Sequence, residues 1–407
     1  MITEFDDIRP YHDSELPAVF EELLSDSAFM RVIAAVLPDM PAEAIAARMR
    51  ACRTKEEFQR TFCYAFLRRL IAKATDGIRL DHSAVADHSQ AYLYLSNHRD
   101  IVLDSAFLSL LLLEQGMNTV EIAIGDNLLI YPWIKRLVRV NKSFIVHRGL
   151  SMRQMLESSQ LMSRYIHHTI HRRNQSIWMA QREGRAKDSG DHTQDSVLKM
   201  LAMGGEGHVL DRLQDLHIVP LSLSYEYDPC DYLKAQEMQL KRDNPAYHKS
   251  QADDLENMKT GIFGYKGRVT FRVRPCIDEA LAGMDRDMPR TELFAHVSAL
   301  LDHEIHAAYE IYPGNYVAYD LLTEAGAQPQ STMPTACATQ AKASFADRYT
   351  PQDRARFEAY LQGQLDRISL PDRDVPFLRE QILHMYANPL ANHLAAGAAM
   401  LNEETTR

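Results

Sequence analysis

Residues 97–104, Asn-His-Arg-Asp-Ile-Val-Leu-Asp, bring one histidine and two carboxylates together in a short segment. Histidine takes up a proton near neutral pH, and a neighbouring carboxylate fixes its tautomer and stabilises its cation. His98 paired with Asp104 or Asp100 therefore suits deprotonation of a hydroxyl, which then attacks an acyl group. The simpler alternative is that Asp100 only caps the helix that follows.

His98-Arg99-Asp100 also matches the first three residues of the protein-kinase catalytic loop. That loop requires an asparagine five residues after its aspartate, and this chain has Ser105 there. The sequence has no Asp-Phe-Gly motif and no kinase glycine-rich loop, and it lacks Gly-x-Ser-x-Gly, Walker and Rossmann motifs. The segment is therefore not read as part of a kinase.

Two later segments carry candidate binding residues. Arg148 follows an apolar run, and arginine grips a phosphate through two donors at once. Residues 183–187 read Glu-Gly-Arg-Ala-Lys, in which Gly184 lets the backbone approach a ligand and Glu183 could orient an arginine or accept a substrate hydroxyl. Arg185 and Lys187 could bind an anion. The plainer interpretations are a solvated basic face and an ordinary loop.

His167 and His171 are spaced as two ligands of a zinc ion on one helix face would be. No third ligand is evident in the sequence. We therefore interpret this cluster as cationic side chains near a helix C-terminus, and predict no metal site.

The elements that must position these residues follow an alternating pattern. Strand signals alternate with helical signals between residues 88 and 320, which predicts an α/β fold with a mostly parallel mixed sheet flanked by helices. The candidate residues follow three strands directly, at the carboxyl ends where such sheets bind ligands. The predicted strands cover residues 91–95, 120–124, 143–146, 176–180, 217–222 and 269–273.

The flanking regions look helical. We predict a helical N-terminal region over residues 1–87, a catalytic domain over 88–320, and a linker followed by a helical C-terminal region over 321–407. The linker is predicted over residues 321–345 from its content of Ala, Thr, Gln and Pro.

Composition excludes several classes of protein. The net charge of −10 argues against a nucleic-acid partner. Five cysteines without a Cys-x-x-Cys motif suggest reduced thiols in the cytoplasm. No apolar run reaches the roughly 18 residues of a transmembrane helix, and the acidic start does not resemble a signal peptide. We expect a cytoplasmic protein, with peripheral contact to the inner membrane as one option.

In their order and spacing these segments resemble the four blocks of the glycerolipid acyltransferase family, and most closely the glycerol-3-phosphate and dihydroxyacetone-phosphate acyltransferase branch. Residues 97–104 resemble the first block, in which four residues separate a histidine from an aspartate. Residues 125–128 are similar to the Gly-x-Asn-Leu lead-in, and residues 144–148 to the block Phe-Phe-Ile-Arg-Arg. Residues 183–187 resemble Glu-Gly-x-Arg-Ser, and residues 219–221 resemble Val-Pro-Val.

The chain departs from these blocks in three places. Five residues, rather than four, separate His98 from Asp104, and one added residue turns a side chain by about 100° on a regular helix. We favour Asp104 as the partner if the turn before the helix absorbs the insertion, and keep Asp100 as the alternative. His147 replaces the first arginine of the second block, and the third block lacks its serine. These changes bear mainly on the identity of the acceptor.

The resemblance implies an acyltransferase that moves a fatty acyl group from acyl-CoA or acyl carrier protein to glycerol 3-phosphate or a related lysolipid. His98 would be the general base, and Asp104 or Asp100 would orient it. Arg148, Arg185 and Lys187 would bind the acceptor phosphate, in a pocket shaped by Glu183 and Gly184. Backbone N–H groups near the helix start could hold the oxyanion. No metal or bound cofactor is expected.

Two other functions stay open. The acceptor could be a lysophospholipid or an amino-lipid. Alternatively, the chain could be a catalytically degenerate member that binds acyl carrier protein or an anionic membrane.

Overall fold

A computed structural model of the chain describes residues 4–332 and 344–405, with side chains described as far as residue 397. It contains a seven-stranded sheet in the order β1-β7-β6-β2-β5-β3-β4. Every neighbouring pair of strands is parallel except β6 and β7, which are antiparallel. The strands are β1 Ile78–Asp81, β2 Leu93–Ser96, β3 Glu121–Gly125, β4 Ser143–Val146, β5 Ile177–Ala180, β6 Ile218–Tyr225 and β7 Val269–Val273.

Helices flank this sheet and form both terminal regions, so the predicted fold class is confirmed. Short 3-10 helices cover Asp13–Glu15 and Asp126–Leu128, and a π-helix covers Gln59–Cys63. The α-helices are α1 Leu16–Ser25, α2 Ser27–Val36, α3 Ala42–Ala51, α4 Lys55–Phe58, α5 Tyr64–Ala74, α6 Leu103–Glu114, α7 Pro132–Val140, α8 Met152–Arg173, α9 Asp195–Leu201, α10 Val209–Gln214, α11 Asp231–Asp243, α12 Gln251–Phe263, α13 Asp278–Ala282, α14 Arg290–Ala307, α15 Pro313–Glu324, α16 Pro351–Asp366 and α17 Val375–Thr405.

The prediction of a helical region over residues 1–87 is wrong at β1. Residues 78–81 pair in parallel with β7, in the register Ile78 to Val269. Ile78 and Leu80 are half-buried and alternate with exposed residues. Such an alternation over four residues is too short to identify a strand, and the partner that stabilises it comes from a distant part of the chain.

Apolar side chains cover both faces of the sheet. Strand residues alternate between faces, so Leu93 and Leu95 join the core that packs under α8, whereas Tyr94 joins the core that packs under α6. Ten of the twelve residues of α6 are buried. The helix that begins at the His98 turn is therefore embedded in the core, and it holds that turn rigidly.

Each terminal region has an apolar cluster of its own. The N-terminal helices pack together and against α7, and the C-terminal helices α15, α16 and α17 pack with α11. Because α15 runs to Glu324 and buries Leu321 and Leu322, the prediction of a linker starting at residue 321 is wrong at its start. Residues 333–343 of that predicted linker lie outside the described residues.

Four of the five cysteines fall in the described part of the chain, and Cys52, Cys63, Cys230 and Cys276 are all free thiols there. Cys337 lies outside the described residues, as do the first three residues of the predicted acidic start. Among the described residues, no helix combines the length and apolarity that crossing a bilayer requires.

Candidate active site

The turn that carries His98 lies at the carboxyl end of β2, in the middle of the sheet. Ser96, the last residue of β2, is paired in register with Ala180, the last residue of β5. The His98 turn and the loop that carries residues 183–187 therefore leave the sheet side by side. Arg148 follows the end of β4 at the same edge.

His98 and Asp104 form a hydrogen-bonded pair. His98 Nδ1 donates to Asp104 Oδ2 at 2.7 Å; the imidazole is 14% exposed and the carboxylate is fully buried. With Nδ1–H directed at the carboxylate, Nε2 is the nitrogen left to accept a proton from a substrate. Of the two partners kept open above, the fold brings Asp104 to the imidazole.

The extra residue between His98 and Asp104 is accommodated before the helix starts. Helix α6 begins at Leu103 rather than near Asp100, so the intervening residues form a turn. Asp100 Oδ1 accepts hydrogen bonds from the N–H groups of Val102 and Leu103, as a capping residue does. The 100° rotation per residue holds only within a regular helix, so the added residue in this turn does not turn the Asp104 side chain away from His98.

We expected backbone N–H groups near the start of α6 to hold the oxyanion. Four of these groups, at residues 99, 100, 102 and 103, are already bound to side-chain carboxylates. Besides the two amides bound by Asp100, the N–H groups of Arg99 and Asp100 donate to Asp104 Oδ2 at 2.7 and 3.1 Å. All four amides are thus bound to carboxylates within the turn. Because each of these N–H groups already has a carboxylate acceptor, none of the four is available to bind an oxyanion.

Side chains that sequence reasoning passed over fix the turn in place. The side-chain amide of Asn97 bonds both the N–H and the C=O of Leu223 in β6. Buried Arg99 pairs with Asp191 at 2.6 Å, and its guanidinium lies 5.6 Å from the centre of the Tyr309 ring. Asp191 and Tyr309 come from distant segments, so no local pattern could have identified them.

Two aromatic residues border the pair. The Trp178 ring meets the His98 imidazole edge-on at 5.6 Å between ring centres, and its Nε1–H donates to Ser96 Oγ at 3.0 Å. Tyr225 at the end of β6 is half-buried, and desolvation together with the charges of Asp104 and Asp100 raises its pKa well above the usual value. Two aromatic side chains thus flank the histidine and its carboxylate on the protein side.

Arg148 and Glu183 form a second pair. Arg148 Nη1 donates to Glu183 Oε1 at 2.6 Å, with 35% and 68% of the two side chains exposed. Asp126 holds the start of the same loop, because its carboxylate binds the Arg148 N–H and lies 3.0 Å from His147 Nδ1. A Cβ atom at Gly125 would stand 2.5 Å from Asn127 Oδ1 and 2.6 Å from Arg148 Nε, so both side chains would have to shift if this glycine were replaced. Arg148 is accessible to a ligand that displaces or joins Glu183.

Arg185 is half-buried and lies among charged groups that include Asp100. Its Nη2 donates to Asn257 Oδ1 at 3.3 Å. Desolvation acts to lower its pKa, but Cys230, Asp228 and Asp100 outweigh it and the pKa is raised. Burial and the charge of Asp104 raise the pKa of Asp100, and Arg185 opposes that rise. The predicted phosphate ligand Arg185 is thus in electrostatic contact with the predicted catalytic segment.

Lys187 pairs with a residue that the sequence did not single out. It donates to Glu237 of α11, which also lies 3.0 Å from both Lys241 and Lys249. Burial lowers the pKa of Lys187 to about 8. Burial acts to raise the pKa of Glu237, but the hydrogen bonds from the three lysines outweigh it and lower the pKa to about 2. Gly184, between these groups, has φ +69°, a conformation that favours glycine.

Part of this chain matches a known protein family. Residues 77–224 match the family model described as Acyltransferase. The matched segment runs from the residue before β1 into β6, and it contains His98, Asp104, Arg148 and residues 183–187. This segment is therefore similar to acyltransferases.

One solved structure with a detectable likeness is the 1-acyl-sn-glycerophosphate (LPA) acyltransferase PlsC from Thermotoga maritima. The match covers 74% of this chain and 98% of that one, at 10% identity and a TM-score of 0.37, which is too distant to carry an argument about activity. No curated protein has a significant sequence match to this chain.

Proposed function

We propose that this protein is an acyltransferase that moves a fatty acyl group from a thioester to the hydroxyl of glycerol 3-phosphate or a related lipid precursor, as a step in phospholipid synthesis. The observation that carries the proposal is the His98–Asp104 hydrogen bond at the carboxyl end of β2, inside the segment that matches acyltransferases. An acceptor hydroxyl and an acyl thioester are what such a pair is suited to join.

In the proposed reaction His98 Nε2 takes the proton of the acceptor hydroxyl as the oxygen attacks the thioester carbonyl. Asp104 holds the imidazole in the required tautomer and stabilises the imidazolium that forms. The tetrahedral intermediate then expels the thiolate, which takes the proton back from His98. The acyl group passes directly to the acceptor, so neither a metal nor a covalent acyl-enzyme enters the scheme.

The acceptor phosphate would bind at Arg148, where an exposed guanidinium already holds a carboxylate. Glu183 and Gly184 would shape this pocket. Arg185 would act from its half-buried position near Asp100, and Lys187 would add positive charge together with Lys241 and Lys249. Acyl-CoA or acyl carrier protein would supply the thioester.

The test is thiol release from palmitoyl-CoA by wild-type protein and His98→Ala, with and without glycerol 3-phosphate. We expect release that requires the acceptor, and a loss of about 10²–10⁴-fold in the variant. His296→Ala, at an exposed histidine of α14, is the control and should match wild type. Undiminished release in a folded His98→Ala protein would refute the mechanism.

A second candidate keeps the chemistry and changes the acceptor. The family block has an arginine where this chain has His147, and His147 is bound to Asp126 rather than directed at Arg148. A lysophospholipid or an amino-lipid acceptor fits this change. Release that needs His98 but ignores glycerol 3-phosphate would favour this candidate.

We also propose that the enzyme meets its lipid through exposed apolar side chains that follow β3 and β4, namely Tyr131, Met152, Met155 and Leu156, here called the apolar rim. On α8, Met152 is 89% exposed, Met155 is 55% exposed and Leu156 is 51% exposed. Tyr131, just before α7, is 48% exposed. The rim follows β3 and β4, at the same edge of the sheet as His98. A bilayer is the occupant that would bring a lipid acceptor to that edge.

A further inference from the structure

The amino ends of the strands, opposite the His98 edge, carry a cluster of side chains that the proposed reaction does not use. His167 and His171 lie one turn apart on α8, and Asp215 follows α10 just before β6. One ligand atom from each of the three side chains lies within 4.8 Å of the other two. Asp215 is the third ligand that was not evident in the sequence, because it lies 44 positions beyond His171.

We propose that His167, His171 and Asp215 bind a divalent transition-metal ion of the zinc class. Two imidazoles and one carboxylate are a donor set that zinc prefers, with a fourth position left to water. Ligand atoms around a tetrahedral zinc ion are about 3.3 Å apart, so the side chains need to close by about 1.5 Å at most. His171 is exposed and Asp215 half-exposed, so both are free to make that movement.

The second observation concerns the nitrogen atoms of His167, a residue that is 93% buried, being 7% exposed. Its Nε2 is 3.1 Å from the carbonyl oxygen of Leu201, which accepts the ring proton. Its Nδ1 is buried and has no hydrogen-bond partner in the described structure. A ring that donates one N–H to a backbone carbonyl and offers the other nitrogen as a lone pair is the usual arrangement of a metal-binding histidine.

Space beside that nitrogen is kept open by glycine. A Cβ atom at Gly205 would stand 3.1 Å from His167 Nδ1, and one at Gly204 would stand 2.7 Å from the ring. Arg212 lies beside Gly205 as well, and its guanidinium donates to the carbonyl oxygens of Gly207 and Ala202.

A second group, His217, Cys276 and Asp278, lies close by, with the rings of His171 and His217 centred 6.4 Å apart. In that group His217 Nδ1 is already bound to Asp278 Oδ2 at 2.6 Å, and burial raises the pKa of the Cys276 thiol to about 12. Two of the three candidate ligands in that group, His217 and Asp278, therefore already bond each other. The unpartnered nitrogen of His167 favours the first group.

The experiment uses tag-free, full-length protein freed of metal by a chelator and then titrated with Zn²⁺ and, separately, Co²⁺. We expect saturable binding of one ion, visible d–d absorption from Co²⁺ and a zinc-dependent rise in Tm, because only the folded chain assembles the site. His171→Ala and Asp215→Asn should each weaken binding by more than about tenfold. These two positions are preferred to His167, whose replacement leaves a cavity in the core.

The matched control is His168→Ala, at an exposed histidine of the same helix that is not in the cluster, and it should bind like wild type. His217→Ala separates the two groups, and it too should bind like wild type. Loss of binding only in His217→Ala, or equal binding in all variants, would overturn the proposal. Absence of binding in wild type would do the same.

Discussion

At the residue scale, Asp104 concentrates three hydrogen bonds on one oxygen. Oδ2 accepts from His98 Nδ1 and from the N–H groups of Arg99 and Asp100. The same atom therefore orients the imidazole and shapes the turn that delivers it. An asparagine oxygen in that place can keep the acceptor role, but it carries no charge to stabilise an imidazolium.

Asp104→Asn should for this reason lower kcat by about 10²–10⁴-fold with a small change in Tm. Asp104→Ala should lower kcat similarly and also destabilise the fold, because two buried amides lose their acceptor at about 1–3 kcal/mol each. Thiol-release kinetics and thermal unfolding of both variants separate the two effects. Wild-type kcat in Asp104→Asn would rule out the assigned role.

Arg148 is the accessible cation at the site edge. Arg148→Ala should raise the KM for a phosphate-bearing acceptor by about 10–100-fold, the worth of a charge-assisted hydrogen bond, and leave the KM for the thioester unchanged. Arg50→Ala, at an exposed arginine of α3 that pairs with Glu21, is the matched control and should leave both KM values unchanged. A KM effect confined to the thioester would contradict the phosphate role.

At the element scale, the His98 turn is held by neighbours from three other segments. Asn97 joins it to β6, Arg99 joins it to the loop after β5, and α6 anchors it in the core. The loop after β5 is fixed in turn by α14, since Asp302 Oδ1 accepts from the N–H and Oγ1 of Thr193 at 2.7 and 2.6 Å. The precision of the site thus depends on how α14 docks.

That docking should depend on pH. Burial, with the charges of Asp191 and Asp195, raises the pKa of Asp302 to about 7 against the hydrogen bonds from Thr193. Between about pH 4 and 7, Asp302 is protonated in the folded chain but ionised in the unfolded chain. The free energy of unfolding therefore falls as the pH rises through this window.

Asp302→Asn keeps the acceptor for Thr193 and removes the charge. It should be more stable than wild type at pH 8, by about 1–4 kcal/mol, and nearly equal to wild type below pH 4. Denaturant unfolding of both proteins at several pH values measures the difference. Parallel stability curves for the two proteins would show that Asp302 does not titrate in this way.

At the scale of the whole molecule, the loops that follow β3, β4 and β5 are joined to one another at the catalytic edge. Asp126, in the loop after β3, binds both His147 and the Arg148 N–H in the loop after β4, and Arg148 binds Glu183 after β5. An enzyme docked through the rim would have its reactive edge turned to the lipid. This arrangement can be tested apart from catalysis.

The double variant Met152→Asp/Met155→Asp should reduce sedimentation with phospholipid vesicles by about tenfold or more, since burying one methionine side chain contributes about 1.5–3 kcal/mol. Its activity on soluble short-chain thioester and glycerol 3-phosphate should stay near wild type. Val32→Asp, at an exposed apolar residue of α2, is the control. Equal sedimentation of all three proteins would exclude the rim as the membrane contact.

The sequence by itself determined the sheet that carries the site. Six of the seven strands lie within about three residues of their predicted places, because apolar runs bounded by turns are a local signal. It also singled out His98, Asp104, Arg148 and residues 183–187 as candidates, because their types and spacing resemble known blocks.

The tertiary structure alone decided which side chains meet. It placed Asp104 rather than Asp100 against the imidazole, and it bound four helix-start amides to carboxylates within the turn. It brought Asp191 to Arg99, Glu237 to Lys187, and Asp215 close to His167 and His171. It also made a strand of residues 78–81 by pairing them with β7. Each of these contacts depends on the register of a turn or on residues far apart in the chain, and periodicity carries information on neither.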